Sequence, residues 1–195
     1  MVLIVLRHGQ STFNKANILA GWRDVPLTEF GKKEASNAAN KLNKYNFDYV
    51  FTSDLQRTKD TCSIIQSALN QSFIIKSSPA LKERNYGELT GQNREQLKNL
   101  FTPEQVAIWR RSYFENPPNG ESLDDVKNRC GKYFDKNILP LLNQNKNILI
   151  ISHSNTLRSL FVHLNIIDKK SIELFEISNC EPIFVDIKNK KFWYE

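Results

Sequence analysis

The chain contains three histidines, His8, His153 and His163, and two of them occupy the same kind of place. In "VLIVLRHGQSTFN" (2–14) an apolar run ends in Arg7 and His8, then turns through Gly9, Ser11, Thr12 and Asn14. In "LIISHSNTLR" (149–158) a second apolar run ends in His153, followed by Ser154 and Asn155. A third run, "DYVFTS" (48–53), exits so that Arg57 falls on the first turn of the next helix. A fourth, "FIIKS" (73–77), exits into "SPALKERNYGELTG", where Glu83 and Arg84 precede Tyr86 and Gly87. One histidine at a strand end is more often structural than functional. Two, each with arginine and Ser or Asn beside it, favour a site. Glu83 by itself reads first as a surface ion-pair partner; on a loop above a site lined with cations it could be a general acid or base. Together these residue types suit phosphoryl transfer, which needs charge compensation on the phosphoryl oxygens and a proton donor for the leaving alcohol. The chain has no G-x-x-x-x-G-K-[ST] loop and no clustered aspartates, so the positive charge would come from arginine and histidine. A neutral imidazole is a competent nucleophile toward phosphorus.

These residues must be delivered by elements that converge. "VLIVL" (2–6) and "NILIIS" (147–152) are continuous apolar runs of strand length, the kind buried on both faces of a parallel sheet. Residues 48–53 and 73–77 read as further strands, and "EPIFVDI" (181–187) and "KKFWYE" (190–195) as a closing pair at the sheet edge. Helices are expected from about 29 to 44 behind Thr28, over 54–69, 93–100 and 103–114, from Ser122 to about 136, and in the segment carrying His163. The alternating order predicts an α/β fold, a three-layer α/β/α sandwich with a mainly parallel central sheet. Ligands of such sheets bind beyond the carboxyl ends of the strands, where His8 and His153 stand, and a helix start there offers backbone N–H groups to an anion.

With 195 residues the chain is long enough for a sizeable core, and no linker or repeat divides it, so one domain over 1–195 is expected. The net charge of +6 permits nucleic acid, an anionic surface or a small anionic substrate as partner. The lysines are scattered and no nucleic-acid motif or aromatic interleaving is present, so nucleic acid is not expected. No apolar run is long enough for a membrane span or a signal-peptide core. Cys62, Cys130 and Cys180 are far apart and form no C-x-x-C, which suggests reduced thiols in the cytoplasm and no metal site.

"LRHGQSTFN" resembles the signature of the histidine phosphatase superfamily. The resemblance extends to its branch of cofactor-dependent phosphoglycerate mutases, carried by "GWRDVPLTEFGKKEA" (21–35), "TSDLQRTKDT" (52–61), "LKERNYGELTGQNREQ" (81–96), "WRRSYFENPPNGESLDDV" (109–126) and "SHSNTLRSL" (152–160), in the same order and over nearly the whole chain. The RHG signature marks only the superfamily; "ERNYG" and "WRRSY" are more specific to the mutases. The resemblance implies that His8 is the phosphorylated nucleophile and that Arg7, Arg57 and His153 hold the transferring group, with Ser11 and Asn14 adding hydrogen bonds. It implies that Glu83 exchanges the proton of the substrate hydroxyl. Tyr86, Arg94, Arg110 and Arg111 would grip the substrate carboxylate and second phosphate, and Gly21, Ser154 and Asn155 would supply close contacts. It further implies 2,3-bisphosphoglycerate as the priming phosphoryl donor, no metal, 3-phosphoglycerate and 2-phosphoglycerate as substrates, and a homodimer as one admissible assembly.

The sequence departs from the mutase pattern in several places. Ala20 stands where threonine is usual, Arg94 where lysine is usual, and Ser154 where glycine is usual. "SNCEPIF" (178–184) differs from the usual segment before its proline, the "PPNGESL" connection is short, and the sequence ends directly after "KKFWYE", so the tail of longer mutases is expected to be short or missing. A reduced lid would let water compete with the substrate hydroxyl. A superfamily phosphatase acting on a small phosphorylated metabolite is therefore the alternative. A non-catalytic binding protein is disfavoured because His8, Arg7, Arg57 and Glu83 are all present.

Overall fold

Strand β1 (Leu3–Arg7) shows why its run is apolar throughout: Leu3 and Val5 pack on one face of the sheet, Ile4 and Leu6 on the other. A strand covered on both faces has no solvent side on which polar residues would be favoured. The computed structural model describes residues 1–172 and 174–194; for Lys98, Arg110 and Arg111 it describes the backbone alone. The remaining strands are β2 (Tyr49–Thr52), β3 (Ile74–Ser77), β4 (Ile148–Ser152), β5 (Ile183–Asp186) and β6 (Lys191–Tyr194). Their order is β3-β2-β4-β1-β5-β6. The first four in that order run parallel; β5 is antiparallel to β1 and β6 to β5. The two C-terminal strands thus form the expected closing pair.

The helices are α1 (Thr12–Lys15), α2 (Glu29–Leu42), α3 (Gln56–Leu69), α4 (Leu97–Leu100), α5 (Pro103–Arg111), α6 (Leu123–Asn137), α7 (Leu139–Asn143) and α8 (Ser154–His163). On one face, Ala35, Ala38, Ala39 and Leu42 of α2 and Cys62 and Ile65 of α3 meet Ile4, Leu6, Val50, Leu149 and Ile151. On the other, Phe134 of α6 and Leu157, Leu160 and Phe161 of α8 meet Leu3, Val5, Phe51, Ile148 and Ile150. This is the three-layer sandwich. Thr28 caps α2, its hydroxyl accepting from the Gly31 amide at 3.0 Å, and Ser122 caps α6 in a reciprocal box with Asp125.

Two expectations are corrected. The helix expected over 93–100 is only its last turn, α4, because Asn93 pairs with Ile18 in an isolated bridge and the Arg94 amide donates to the Asn17 carbonyl. Helix α5 stops at Arg111 rather than 114: Ser112 leaves the helical conformation, and the Tyr113 carbonyl instead accepts from the Asp124 amide at 3.1 Å. Strand β3 is present as expected, at the sheet edge and with all four residues exposed.

Candidate active site

Strands β1 and β4 are parallel neighbours in register, Arg7 opposite Ser152, so the residues that follow them emerge side by side. The His8 amide donates to the Ser152 carbonyl at 3.0 Å. The His8 and His153 rings lie 5.0 Å apart, centroid to centroid, inclined at 63°. His8 Nδ1 is 2.7 Å from the Gly9 carbonyl oxygen. A carbonyl only accepts, so the imidazole proton sits on Nδ1 and Nε2 carries the lone pair. Burial, and then the Arg57 and Arg7 charges, hold the His8 pKa well below 6.5, so the ring is a neutral nucleophile at neutral pH. His153 is likewise depressed, by burial first and then by Arg57 and His8. Its Nε2 lies 2.8 Å from Ser53 Oγ, while its Nδ1 is buried and bonded to nothing among the described residues.

Around the histidines the arginines fall into two kinds. Arg57, only 1% exposed, donates through Nη2 to the Gly21 carbonyl (2.9 Å) and through Nη1 to the Arg23 carbonyl (3.0 Å). Burial lowers its pKa to about 10, Glu83 and Asp24 oppose that, and it stays charged at neutral pH. Arg7 donates through Nη1 to the Ile177 carbonyl at 2.8 Å and leaves a buried Nε unbonded. Arg94 and Arg158 are of the second kind: each lines the cavity, each buries an unbonded Nε, and the side chain of neither donates to a protein acceptor among the described residues. Guanidinium groups that line a cavity without acceptors suit an anionic ligand with more than one charged group. That donor set fits a bisphosphorylated acid.

Glu83 is mounted between these groups. Its Oε1 accepts from the Arg84 amide at 2.8 Å. Its carbonyl accepts from Trp22 Nε1 (2.7 Å) and from Arg129 Nη2 (2.9 Å). Arg129 also grips Glu121, and Glu121 Oε2 accepts from the Asn85 amide, so the loop after β3 is tied to α6. Tyr86 is buried, and its hydroxyl accepts from Asn155 Nδ2 at 2.8 Å.

These groups surround one cavity of about 570 Å³. Of the residues expected from sequence, it brings together Arg7, His8, Asn14, Gly21, Arg57, Glu83, Tyr86, Arg94, Ser154 and Asn155, and Ala20 also lines it. His153 sits behind them against His8. Ser11 is one step back: it caps α1, its hydroxyl accepting from the Asn14 amide while the Asn14 side chain accepts from the Ser11 amide. Its placed role is to orient Asn14. The side chains of Arg110 and Arg111 lie outside the described residues. His163 is remote from the cavity lining, paired with Asp135 at 2.9 Å.

Several lining groups escaped sequence reasoning, among them four that are charged or carry an amide. Arg158 stands four residues after Ser154 and three after Asn155, on the same face of α8, a spacing that could have found it. Glu34 reaches the cavity from α2 while accepting from the Gln10 amide at 2.7 Å. Glu176 and Asn179 arrive from the segment before β5, which docks because the Cys180 amide donates to the Arg7 carbonyl and Asn179 Nδ2 to the His8 carbonyl. Nothing in the local sequence signals that docking.

The family model described as histidine phosphatase superfamily (branch 1) matches residues 3–195. Among curated relatives, a protein of Parvibaculum lavamentivorans is 41% identical over 192 residues, covering 97% of this chain and 91% of the relative. One of Cytophaga hutchinsonii is 39% identical over 189 residues, covering 97% and 89%. Both are named 2,3-bisphosphoglycerate-dependent phosphoglycerate mutase. Among solved structures, the alpha-ribazole phosphatase of Shigella flexneri is 25% identical with a TM-score of 0.79, covering 100% of this chain and 95% of the other. A mycobacterial glucosyl-3-phosphoglycerate phosphatase in complex with VO3 shares the fold at a TM-score of 0.85 and 22% identity, covering 100% and 96%.

Proposed function

We propose, on the premise that this chain belongs to branch 1 of the histidine phosphatase superfamily, that it interconverts 3-phosphoglycerate and 2-phosphoglycerate through a phosphohistidine on His8 primed by 2,3-bisphosphoglycerate. The observation that carries this reading is the near full-length match, at 37–41% identity, to relatives named for that activity. The cavity supports it: a neutral His8, two anchored arginines and two unbonded ones suit a substrate with several negative charges.

In the proposed cycle His8 Nε2 attacks the phosphorus of 2,3-bisphosphoglycerate. An N–P bond forms, an O–P bond breaks, and Glu83 gives its proton to the departing oxygen. In the return step the 2-hydroxyl of 3-phosphoglycerate attacks the phosphohistidine and passes its proton to Glu83 as the N–P bond breaks. The bisphosphate then re-orients, its 3-phosphoryl group moves to His8, and 2-phosphoglycerate leaves. Arg7 and Arg57 offset the charge on the phosphoryl oxygens in both directions. The chain's residues do this without calling on a metal, in a protein we place in the cytoplasm.

The test is a coupled assay of 3-phosphoglycerate isomerisation with and without added 2,3-bisphosphoglycerate, alongside phosphate labelling of the protein. Wild type should require the bisphosphate, and His8→Ala should lose both turnover and label. Turnover retained in His8→Ala would overturn the proposal. The solved structural neighbours named as phosphatases, together with Ala20 in the cavity lining, favour one second reading. In that reading water attacks the phosphohistidine, and phosphate release indifferent to 2,3-bisphosphoglycerate would select it.

A further inference from the structure

Trp22 is 42% exposed, so burial does not explain where its indole is held. Its position is nonetheless defined from two directions. Nε1 donates to the Glu83 carbonyl at 2.7 Å, and Lys82 Nζ sits 5.1 Å from the ring centroid while bridging to Asp54 at 3.2 Å. Trp22 belongs to the four-residue stretch Gly21–Asp24, and each neighbour in it is also engaged. The Gly21 and Arg23 carbonyls both accept from Arg57, and Asp24 Oδ1 accepts from the Gln56 amide at the start of α3, at 2.7 Å. Gly21 adopts φ +49°, and a Cβ there would stand 3.4 Å from the Tyr86 amide nitrogen, so the stretch lies against the Glu83 loop. One short segment therefore grips the guanidinium of Arg57 with its backbone and the mount of Glu83 with its only indole.

We infer that Trp22 is a positioning residue: it sets Glu83 relative to the phosphoryl-binding Arg57 by holding the Glu83 carbonyl from the side of the Gly21–Asp24 strap. Arg129 holds the same carbonyl from the α6 side at 2.9 Å. With both donors in place the peptide at residue 83 has one orientation. The Glu83 side chain, pinned through Oε1 to the Arg84 amide, then keeps its second oxygen for the substrate hydroxyl. Proton transfer in step with phosphoryl transfer tolerates little displacement of the acid or base. This inference rests on the proposed role of Glu83 and adds what aims it.

The experiment compares wild type, Trp22→Phe, Glu83→Gln and the double variant. Phenylalanine keeps an aromatic ring on the Lys82 side and removes the N–H donor together with part of the indole. Two readouts are taken: turnover of 3-phosphoglycerate, whose hydroxyl passes its proton to Glu83, and the single-turnover release of p-nitrophenolate from p-nitrophenyl phosphate, whose leaving group needs no proton. Trp22→Phe should lower kcat for 3-phosphoglycerate about tenfold or more, with KM within about twofold and p-nitrophenolate release little changed. In the Glu83→Gln background it should cost nothing further. An equal loss on both substrates, an undiminished loss in the Glu83→Gln background, or no loss at all would overturn the inference. A Glu83→Gln protein that turns over 3-phosphoglycerate like wild type would instead overturn the assignment of Glu83 itself. Melting temperatures of the four proteins, expected within a few degrees because Trp22 is at the surface, separate misfolding from mispositioning.

Discussion

His8 and His153 are both buried and both held neutral, and this has a cost that pH exposes. In the unfolded chain a histidine takes up a proton near its ordinary pKa of 6.5; in the folded protein burial, followed by Arg57, keeps both rings deprotonated to well below that value. Between the two values the unfolded state binds more protons than the folded one. The stability present above pH 6.5 is therefore lost as pH falls below it. Denaturant titrations at pH 7.5 and 5.5 should show the midpoint dropping on acidification, and His153→Gln should reduce that drop. An identical drop in the variant would remove His153 as a source, since carboxylates titrate below this window. At this scale much was legible. Histidine, arginine and glutamate announce their chemistry by type. What type could not convey is the proton on Nδ1 of His8, which follows from one carbonyl 2.7 Å away, or that the Arg94 and Arg158 side chains have no acceptor among the described residues while Arg57 has two.

The elements meet at two glycines. A Cβ on Gly31 would lie 2.1 Å from the Gln10 carbonyl oxygen, and one on Gly9 2.3 Å from the Gly31 carbonyl oxygen. The first turn of α2 thus rests directly on the turn that follows His8. Glycine inside an exposed helix normally loses stability against alanine, which would make Gly31→Ala stabilising. Contact with unyielding backbone reverses that sign. Gly31→Ala should destabilise the fold by about 1–3 kcal/mol and lower kcat by shifting the Gly9–Gln10 turn beneath His8. Thermal unfolding and steady-state kinetics on the variant check both, and a raised melting temperature would refute the contact argument. Element type was well marked in the sequence wherever a periodic run met a cap, as at Thr28 and Ser122. It failed at 93–96, where pairing of Asn93 with Ile18, far off in the chain, outweighed local helical preference.

Across the whole molecule the net charge of +6 is not gathered into a stripe, and among the described residues no helix is long and apolar enough to cross a membrane. The cavity is lined by four arginines, Arg7, Arg57, Arg94 and Arg158, against three glutamates, Glu34, Glu83 and Glu176. An anionic substrate should be steered toward it, and salt screens such steering within about 10 Å at 0.1 M. Raising ionic strength from 0.05 to 0.5 M should lower kcat/KM for 3-phosphoglycerate several-fold while moving kcat less; a kcat/KM indifferent to salt would speak against a field-guided encounter. The sequence by itself determined the strands, the sandwich and the delivery of His8, His153, Arg57 and Glu83 to one edge. Buried parallel strands write an apolar run that ends where the site begins, and that pattern is local. Tertiary structure alone decided which arginines stay free for a ligand and that Glu176 and Asn179 close the cavity beside His8. It also decided that an exposed tryptophan ties Glu83 to the segment gripping Arg57. Those outcomes depend on hydrogen bonds between residues tens to more than a hundred positions apart, and such pairings leave no trace in the order of neighbours along the chain.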